Sequence, residues 1–328
     1  MSQMQAWRVR EFCEPEDMAF ETVARPEPGP GQALVRVRHA ALNFLDILMV
    51  QGKYQMKPDF PFTPGCELSG EVAAVGPGSN CRVGQRVAAQ PYWGAFAEYA
   101  VVDDLQINPI PDGVAMDRAA CVPVVYPTGH IALGRRGGLK AGEWLLVTAG
   151  AGGSGLAAIQ IGKAWGAHVI ALAGSEEKLA VCRAHGAELA LDYTDEGWVE
   201  AVREATGGHG ADVIFDPVGG EVFNLALKVI AVEGRALIIG FAGGAIQQIA
   251  ANRLLLKNAS AVGAIWGGFF RSHPEYTHEV VADCYAMLAR GEIDPVISAR
   301  YAFDDLPAAL RALASRRTWG KVLLEVSP

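Results

Sequence analysis

The chain has 328 residues, six cysteines, 51% apolar residues and a formal charge of −8 at pH 7. That length accommodates two domains and a sizeable core. The acidic balance, with no basic run beyond the pairs Arg135-Arg136 and Arg316-Arg317, argues against nucleic-acid or anionic-membrane partners. The cysteines are scattered without a C-x-x-C spacing, which fits reduced thiols better than a disulfide or zinc-knuckle framework. No apolar run reaches transmembrane length and the first residues lack the apolar core of a signal peptide, so a cytoplasmic protein is expected.

In chain order, residues 1 to about 122 read as β-rich. Val35–Arg38 and Gly70–Val75 are short strands, and Pro26–Gly31, Pro77–Asn80 and Pro109–Gly113 are turns. From about 123 the pattern changes to alternating strand and helix. An apolar strand from Trp144 leads through a glycine turn into a helix, and His168–Ala173 is the next strand. Then follow Glu188–Tyr193 (strand), Thr194–Thr206 (helix), Asp212–Phe215 (strand), Glu221–Val232 (helix), Arg235–Phe241 (strand) and Ala259–Trp266 (strand). Six strands with helical crossovers predict a doubly wound parallel sheet. The tail carries a helix over Pro274–Arg290 with Gly291 as its stop, a strand, a short helix after Asp304-Asp305, and a last strand over Gly320–Val326. The predicted division is an α/β chain with a β-rich domain from 1–122 and 267–328 around a dinucleotide-binding domain at 123–266.

The turn Gly150-Ala-Gly-Gly-Ser-Gly155 carries the most chemistry. Gly150, Gly152 and Gly155 fit G-x-G-x-x-G between a strand and a helix, the context in which backbone N–H groups and a helix N-terminus hold a pyrophosphate. Such a turn can also close a βαβ crossover without a ligand, but the strand–turn–helix–strand frame favours a dinucleotide. NAD-binding units end their second strand in an acid that binds the ribose hydroxyls. Here Ala173, Gly174 and Ser175 hold that place, with Lys178 one turn on. Hydroxyl and ammonium groups without the acid suit a 2′-phosphate, and NADPH is favoured over NADH. Glu176 and Glu177 count mildly against this, and complementing the dipole of a helix capped by Ser175 explains them equally well. Lys178 can also be an ordinary surface lysine.

Several motifs in order run nearly the whole chain: Pro28-Gly-Pro-Gly-Gln32, Leu42-Asn-Phe-Leu-Asp46, Gln51-Gly-Lys-Tyr54, Pro61-Phe-Thr-Pro-Gly-Cys-Glu67, the glycine turn, Gly174-Ser-Glu-Glu-Lys178, Asp216-Pro-Val-Gly-Gly220 and Gly320-Lys-Val322. With them the chain resembles the zinc-free medium-chain dehydrogenase/reductase family, in particular the NADPH:quinone oxidoreductases of the zeta-crystallin type. The resemblance implies a GroES-like catalytic domain built from both chain ends, a Rossmann domain between, and a homodimer pairing through the edge strand near 259–266. Zinc-dependent relatives hold a catalytic metal with Cys, His-Glu and Cys. Asn43, Cys66 and Val124 stand at the first Cys, the His and the last Cys, and Leu45 at the proton-relay hydroxyl, so no metal is expected. The four-cysteine lobe of a structural zinc is missing as well.

The resemblance also assigns contacts. Thr128 and Asn43 would meet the nicotinamide end; Gly150, Gly152, Gly153, Ser154 and Gly155 the pyrophosphate; Ser175, Lys178 and Tyr193 the 2′-phosphate. Phe241, Ala242 and Gly243 would form a wall, with Ile265, Trp266 and Gly267 beyond, and Arg317 or Lys321 would reach in from the tail. Without a metal, the acceptor must itself be electrophilic: a quinone or, alternatively, an alkene conjugated to a carbonyl (enal, enone, haloacrylate or enoyl thioester). Both gain negative charge on oxygen as hydride arrives, and a hydrogen-bond donor there helps. Asn43 and Tyr54 are the candidates, Tyr54 matching the proposed proton donor of related enoyl-thioester reductases. Each has an ordinary alternative, helix capping for Asn43 and loop packing for Tyr54. Glu67 reads as a buried structural carboxylate bonded to backbone or an arginine, and His130 as structural or acceptor-lining. Trp93 and Trp266 fit either an acceptor floor or the core. A noncatalytic NADPH-binding protein is the alternative of another class.

Overall fold

The computed structural model describes residues 2–327. The first part supplies seven strands, β1 (Gln3–Arg8), β2 (Ala19–Ala24), β3 (Gln32–Ala41), β4 (Leu68–Val75), β5 (Arg86–Ala89), β6 (Tyr99–Asp103) and β7 (Ile107–Pro109). The middle supplies β8 (Trp144–Val147), β9 (His168–Ala173), β10 (Leu189–Asp192), β11 (Ala211–Asp216), β12 (Ile230–Ile238) and β13 (Ser260–Gly263); the tail adds β14 (Ile297–Ala302) and β15 (Lys321–Glu325). The chain forms two compact units, Met1–Val124 with Pro295–Pro328, and Val125–Asp294.

The first unit pairs β1 with β2 and builds a second sheet in the order β14-β15-β3-β4-β5-β7, with β6 also on β3. β15 lies antiparallel to β3, with Leu323 opposite Ala41 and Leu324 opposite Ala40. The tail is thereby stitched beside the start of the helix Phe44–Val50. Val35, Val37, Leu68, Val87, Phe96, Leu310, Val322 and Leu324 meet in its core. Burying residues so far apart in sequence is what ties both chain ends into one unit.

In the second unit all six strands are parallel, in the order β10-β9-β8-β11-β12-β13. This is the dinucleotide-fold order 3-2-1-4-5-6, and its direction reverses between β8 and β11. β8 and β9 read as near-continuous apolar runs because helices cover both faces, and Leu145, Leu146, Val147, Val169, Ile170, Ala171 and Leu172 are all fully buried.

Three expectations need correction. The return to the first unit comes at Pro295 rather than at 267. The helix Pro274–Ala289 packs on the helix Val125–His130, buries Val280, Val281, Cys284, Tyr285 and Met287, and adds a pair between His130 Nε2 and Asp283 Oδ2 at 3.0 Å. An amphipathic helix follows its apolar face, and no composition shift marks that choice. The helix expected over 221–232 is shorter, Gly220–Ala226 followed by a single 3-10 turn, and β12 already starts at Ile230. Val229, Ile230 and Val232 are β-branched and favour the strand. The helix expected from Thr194 likewise begins at Trp198, because Asp192 and Asp195 bond the amides of Thr194 and Gly197 in turns. The stop after Pro274–Ala289 is where the pattern puts it: Arg290 caps the helix and Gly291 has φ +72°.

Candidate active site

In the second unit, every residue singled out beyond a strand lies past a carboxyl end of the parallel sheet. The glycine turn follows β8, Ser175 and Lys178 follow β9, and Tyr193 follows β10. Phe241 and Gly243 come after β12, and Ile265 and Trp266 after β13. Ligands of open α/β sheets bind at that edge.

The turn is built around a close approach. A Cβ on Gly155 would come within 2.3 Å of the Ala149 carbonyl oxygen and 2.8 Å of Gly150 Cα, so only glycine fits where the helix Gly153–Ala164 crosses its own entry loop. Gly152 is the N-cap and offers no side-chain acceptor, so the leading N–H groups of Gly153 and Ser154 suit an outside anion. Beside the turn, Thr148 Oγ1 donates to Asp216 Oδ1, and Gly219 N–H donates to Asp216 Oδ2 at 2.7 Å. Thr148 ends the β8 side and Asp216 the β11 side, so this pair ties the two strands across the reversal point. Burial pushes the Asp216 carboxyl up, opposed by the Thr148 and Gly219 bonds. No role followed for Asp216 from its motif; its Thr148 partner lies beyond another strand.

Ala173 closes β9 and no carboxylate occupies the ribose position of that strand. Ser175 is the N-cap of the helix Glu176–Ala184, accepting from Lys178 N–H at 3.4 Å, and Glu176 and Glu177 occupy its first turn. Both acids therefore serve the helix dipole. Tyr193 lies against Gly174, where a Cβ would meet its hydroxyl at 2.8 Å. Ser175, Lys178 and Tyr193 thus sit together at adjacent strand ends. Gly243 N–H donates to Val218 O at 2.9 Å, which folds the segment after β12 back beside β11. Phe241 and Ile265 are exposed, whereas Trp266 is buried. Thr128 lies half-buried in the helix Val125–His130. His130 pairs with Asp283 and packs edge-on against Trp165, which makes it structural. Trp93 is exposed.

The first unit holds a buried polar cluster. Asn43 caps the helix Phe44–Val50, and its backbone N–H donates to Asp46 Oδ2 at 2.8 Å. Its side chain is engaged internally: Nδ2 donates to Glu67 Oε2 at 2.9 Å and Ala41 O at 3.3 Å, and Oδ1 accepts from Lys321 Nζ at 2.6 Å. Lys321 Nζ also donates to Glu67 Oε2 at 2.7 Å, and Glu67 Oε1 accepts the Val124 N–H at 2.8 Å. Glu67 is thus the buried carboxylate expected, bonded to backbone and to a lysine in place of an arginine. Lys321 points into this cluster, and Arg317 lies exposed after the helix Leu306–Ala314.

Burial raises the Asp46 carboxyl to about 7, opposed by the Asn43 bond and the Lys321 charge. Burial also pushes the Cys66 thiol well up, helped by Asp46 and Glu67. Lys321 keeps its proton despite burial because Glu67 faces it. Tyr54, on the turn after the helix, is half-buried against the unit's core. Burial first, then Cys66 and Asp46, raise its hydroxyl, so Tyr54 is protonated at neutral pH.

A GroES-like β unit interrupted by a six-stranded Rossmann unit with a glycine-turn site defines the medium-chain dehydrogenase/reductase class. Residues 29–112 match the alcohol dehydrogenase GroES-like domain, and residues 153–284 match the zinc-binding dehydrogenase domain. The quinone oxidoreductase-like protein 2 homolog of Nematostella vectensis is 39% identical over 300 residues, covering 90% of this chain and 82% of that protein. The quinone oxidoreductase of Pseudomonas aeruginosa is 33% identical over 312 residues, 94% of this chain and 96% of that protein. Among solved structures, mycobacterial Rv1454c complexed with NADPH superposes with a TM-score of 0.91 at 30% identity, covering 98% of this chain and 100% of that one. The chain belongs to the quinone oxidoreductase family of medium-chain dehydrogenases/reductases.

The zinc named in one of these domain descriptions does not fit the residues present. A catalytic zinc needs three convergent protein ligands and an open position. Here Asn43 and Val124 stand where ligands would be, and the Lys321 ammonium is already bonded to Glu67. Among the described residues, no group of three or more His, Cys, Asp or Glu side chains is arranged to hold a metal ion. No described helix is long and apolar enough to cross a membrane.

Proposed function

We propose that this oxidoreductase binds NADPH and reduces a quinone by hydride transfer. The observation that carries the reading is the engaged polar cluster of the first unit: with Lys321, Asn43 and Glu67 bonded to one another, no Lewis acid polarises the acceptor, so the acceptor must already be electron-poor. When bound, NADPH supplies the hydride. Gly150, Gly152 and Gly155 shape the turn, and the Gly153 and Ser154 amides hold the pyrophosphate at the helix N-terminus. Ser175, Lys178 and Tyr193 surround the 2′-phosphate, and the missing acid after Ala173 removes the group that would repel it. Thr128, Phe241, Gly243, Ile265 and Trp266 line the cofactor's remaining length. A solved relative holds NADPH, which supports the choice of cofactor.

Tyr54, half-buried beside the helix that Asn43 caps, is the donor to the oxygen that gains charge. Asn43 shapes the same surface from its capping position. A homodimer is part of the proposal: among the described residues β13 pairs only with β12, and Leu255 and Leu256, 76% and 80% exposed, lie just before it. The decisive experiment is NADPH oxidation against a panel of quinones and conjugated alkenes. Turnover with quinones supports the proposal. Turnover with alkenes alone moves the assignment to double-bond reduction, and tight NADPH binding with no turnover moves it to a binding protein.

A further inference from the structure

Lys321, expected to reach in from the tail, instead ends on Asn43 and Glu67. Its side chain is 4% exposed and that of its partner Glu67 is 0% exposed. It opens β15, held by its N–H on Val296 O at 2.7 Å. The preceding Gly320 has φ +57°, and a Cβ there would stand 2.2 Å from the same oxygen, so only glycine delivers the lysine at this point. One ammonium, bonded to Asn43 Oδ1 and Glu67 Oε2, serves a pocket with two fully buried acidic side chains, Asp46 and Glu67. Among the described residues no nitrogen or oxygen donor reaches Asp46 Oδ1, and the Cys66 thiol lies against the same carboxyl. The pocket therefore depends on a single cation.

That cation also decides orientations. An amide side chain can present oxygen or nitrogen to a neighbour. The ammonium at 2.6 Å selects oxygen at Asn43, which turns Nδ2 to Glu67. Glu67, anchored on one oxygen by Lys321 and Asn43, presents the other to the Val124 amide. One charge thus fixes three groups in sequence: Asn43, Glu67 and the Val124 peptide.

We propose that Lys321 is a positioning residue of the acceptor site, a built-in cation that orients Asn43 and, through Glu67, the Val124 peptide. This rests on the reductase reading above. Lys321→Met leaves Glu67 buried without its cation, and the E67Q/K321M double variant removes both charges. The double variant is expected to fold with a melting temperature near that of the wild type, since a neutral pair avoids a lone buried charge. Its turnover with the best quinone of the panel is expected to fall at least about tenfold with KM for NADPH nearly unchanged, because the ammonium that selects the Asn43 oxygen is gone. A folded double variant with wild-type turnover would reduce Lys321 to charge compensation and overturn the proposal. Failure of the double variant to fold would also overturn it, as would loss of NADPH affinity in step with turnover. Failure of the reductase reading shows separately, in the wild-type enzyme.

Discussion

The two units build their candidate sites from opposite materials. In the second unit the site is mostly backbone: a glycine turn, the N–H groups of a helix start, and strand ends in register. In the first it is side chains, drawn from Asn43, Asp46, Tyr54, Cys66, Glu67 and Lys321, almost all withdrawn from water. A backbone site tolerates no added Cβ but little depends on charge. A side-chain site tolerates small shape changes, and the loss of one charge disturbs every partner.

The sharpest way to break the comparison is Gly155→Val. Its side chain runs into the Ala149 carbonyl, and NADPH affinity is expected to fall at least about a hundredfold by fluorescence titration while the first unit is undisturbed. Binding within tenfold of wild type would show that the turn does not carry the cofactor. Next is Tyr54→Phe, which keeps the ring and removes the proton. About a tenfold or greater loss is expected with conjugated alkenes, whose products need a proton, and a smaller loss with quinones. Equal insensitivity with both acceptors removes Tyr54 from the chemistry.

A smaller effect is expected from Lys178→Ala, about a tenfold weaker affinity for NADPH against an almost unchanged one for NADH. Parallel losses for both would contradict the 2′-phosphate assignment. The smallest separates the units by pH. The folded Asp46 carboxyl holds its proton to about 7 against an ordinary 3.8. Between those values the folded chain binds the extra proton, so this residue's contribution to stability falls as pH rises and levels off above about 7. Asp46→Asn keeps an acceptor for the Asn43 amide and cannot ionise. Its lead in melting temperature over the wild type is expected to be smallest near pH 4 and to grow up to about pH 7; a gap that does not change with pH would place the charge elsewhere.

How much was legible follows the same division. The glycine turn, Ser175 as a cap with its two acids, and the Gly291 stop all depend on neighbours within a few residues, so spacing reveals them. Asn43 was legible as a helix cap for the same reason, but its other partners were not, because Glu67 and Lys321 lie 24 and 278 positions away. The Thr148–Asp216 bond spans 68 positions and depends on β8 and β11 being neighbours. The return at Pro295 depends on which surface the helix Pro274–Ala289 covers.

Local conformational preference is written in consecutive residues, and it determined the order of elements, the dinucleotide turn and the absence of a ribose-binding acid after β9. Pairing β15 with β3 is a long-range packing event, set by apolar burial over the whole first unit. Only that pairing brings the ammonium of Lys321 to Asn43 and Glu67, and so decides that the pocket holds a fixed cation of its own.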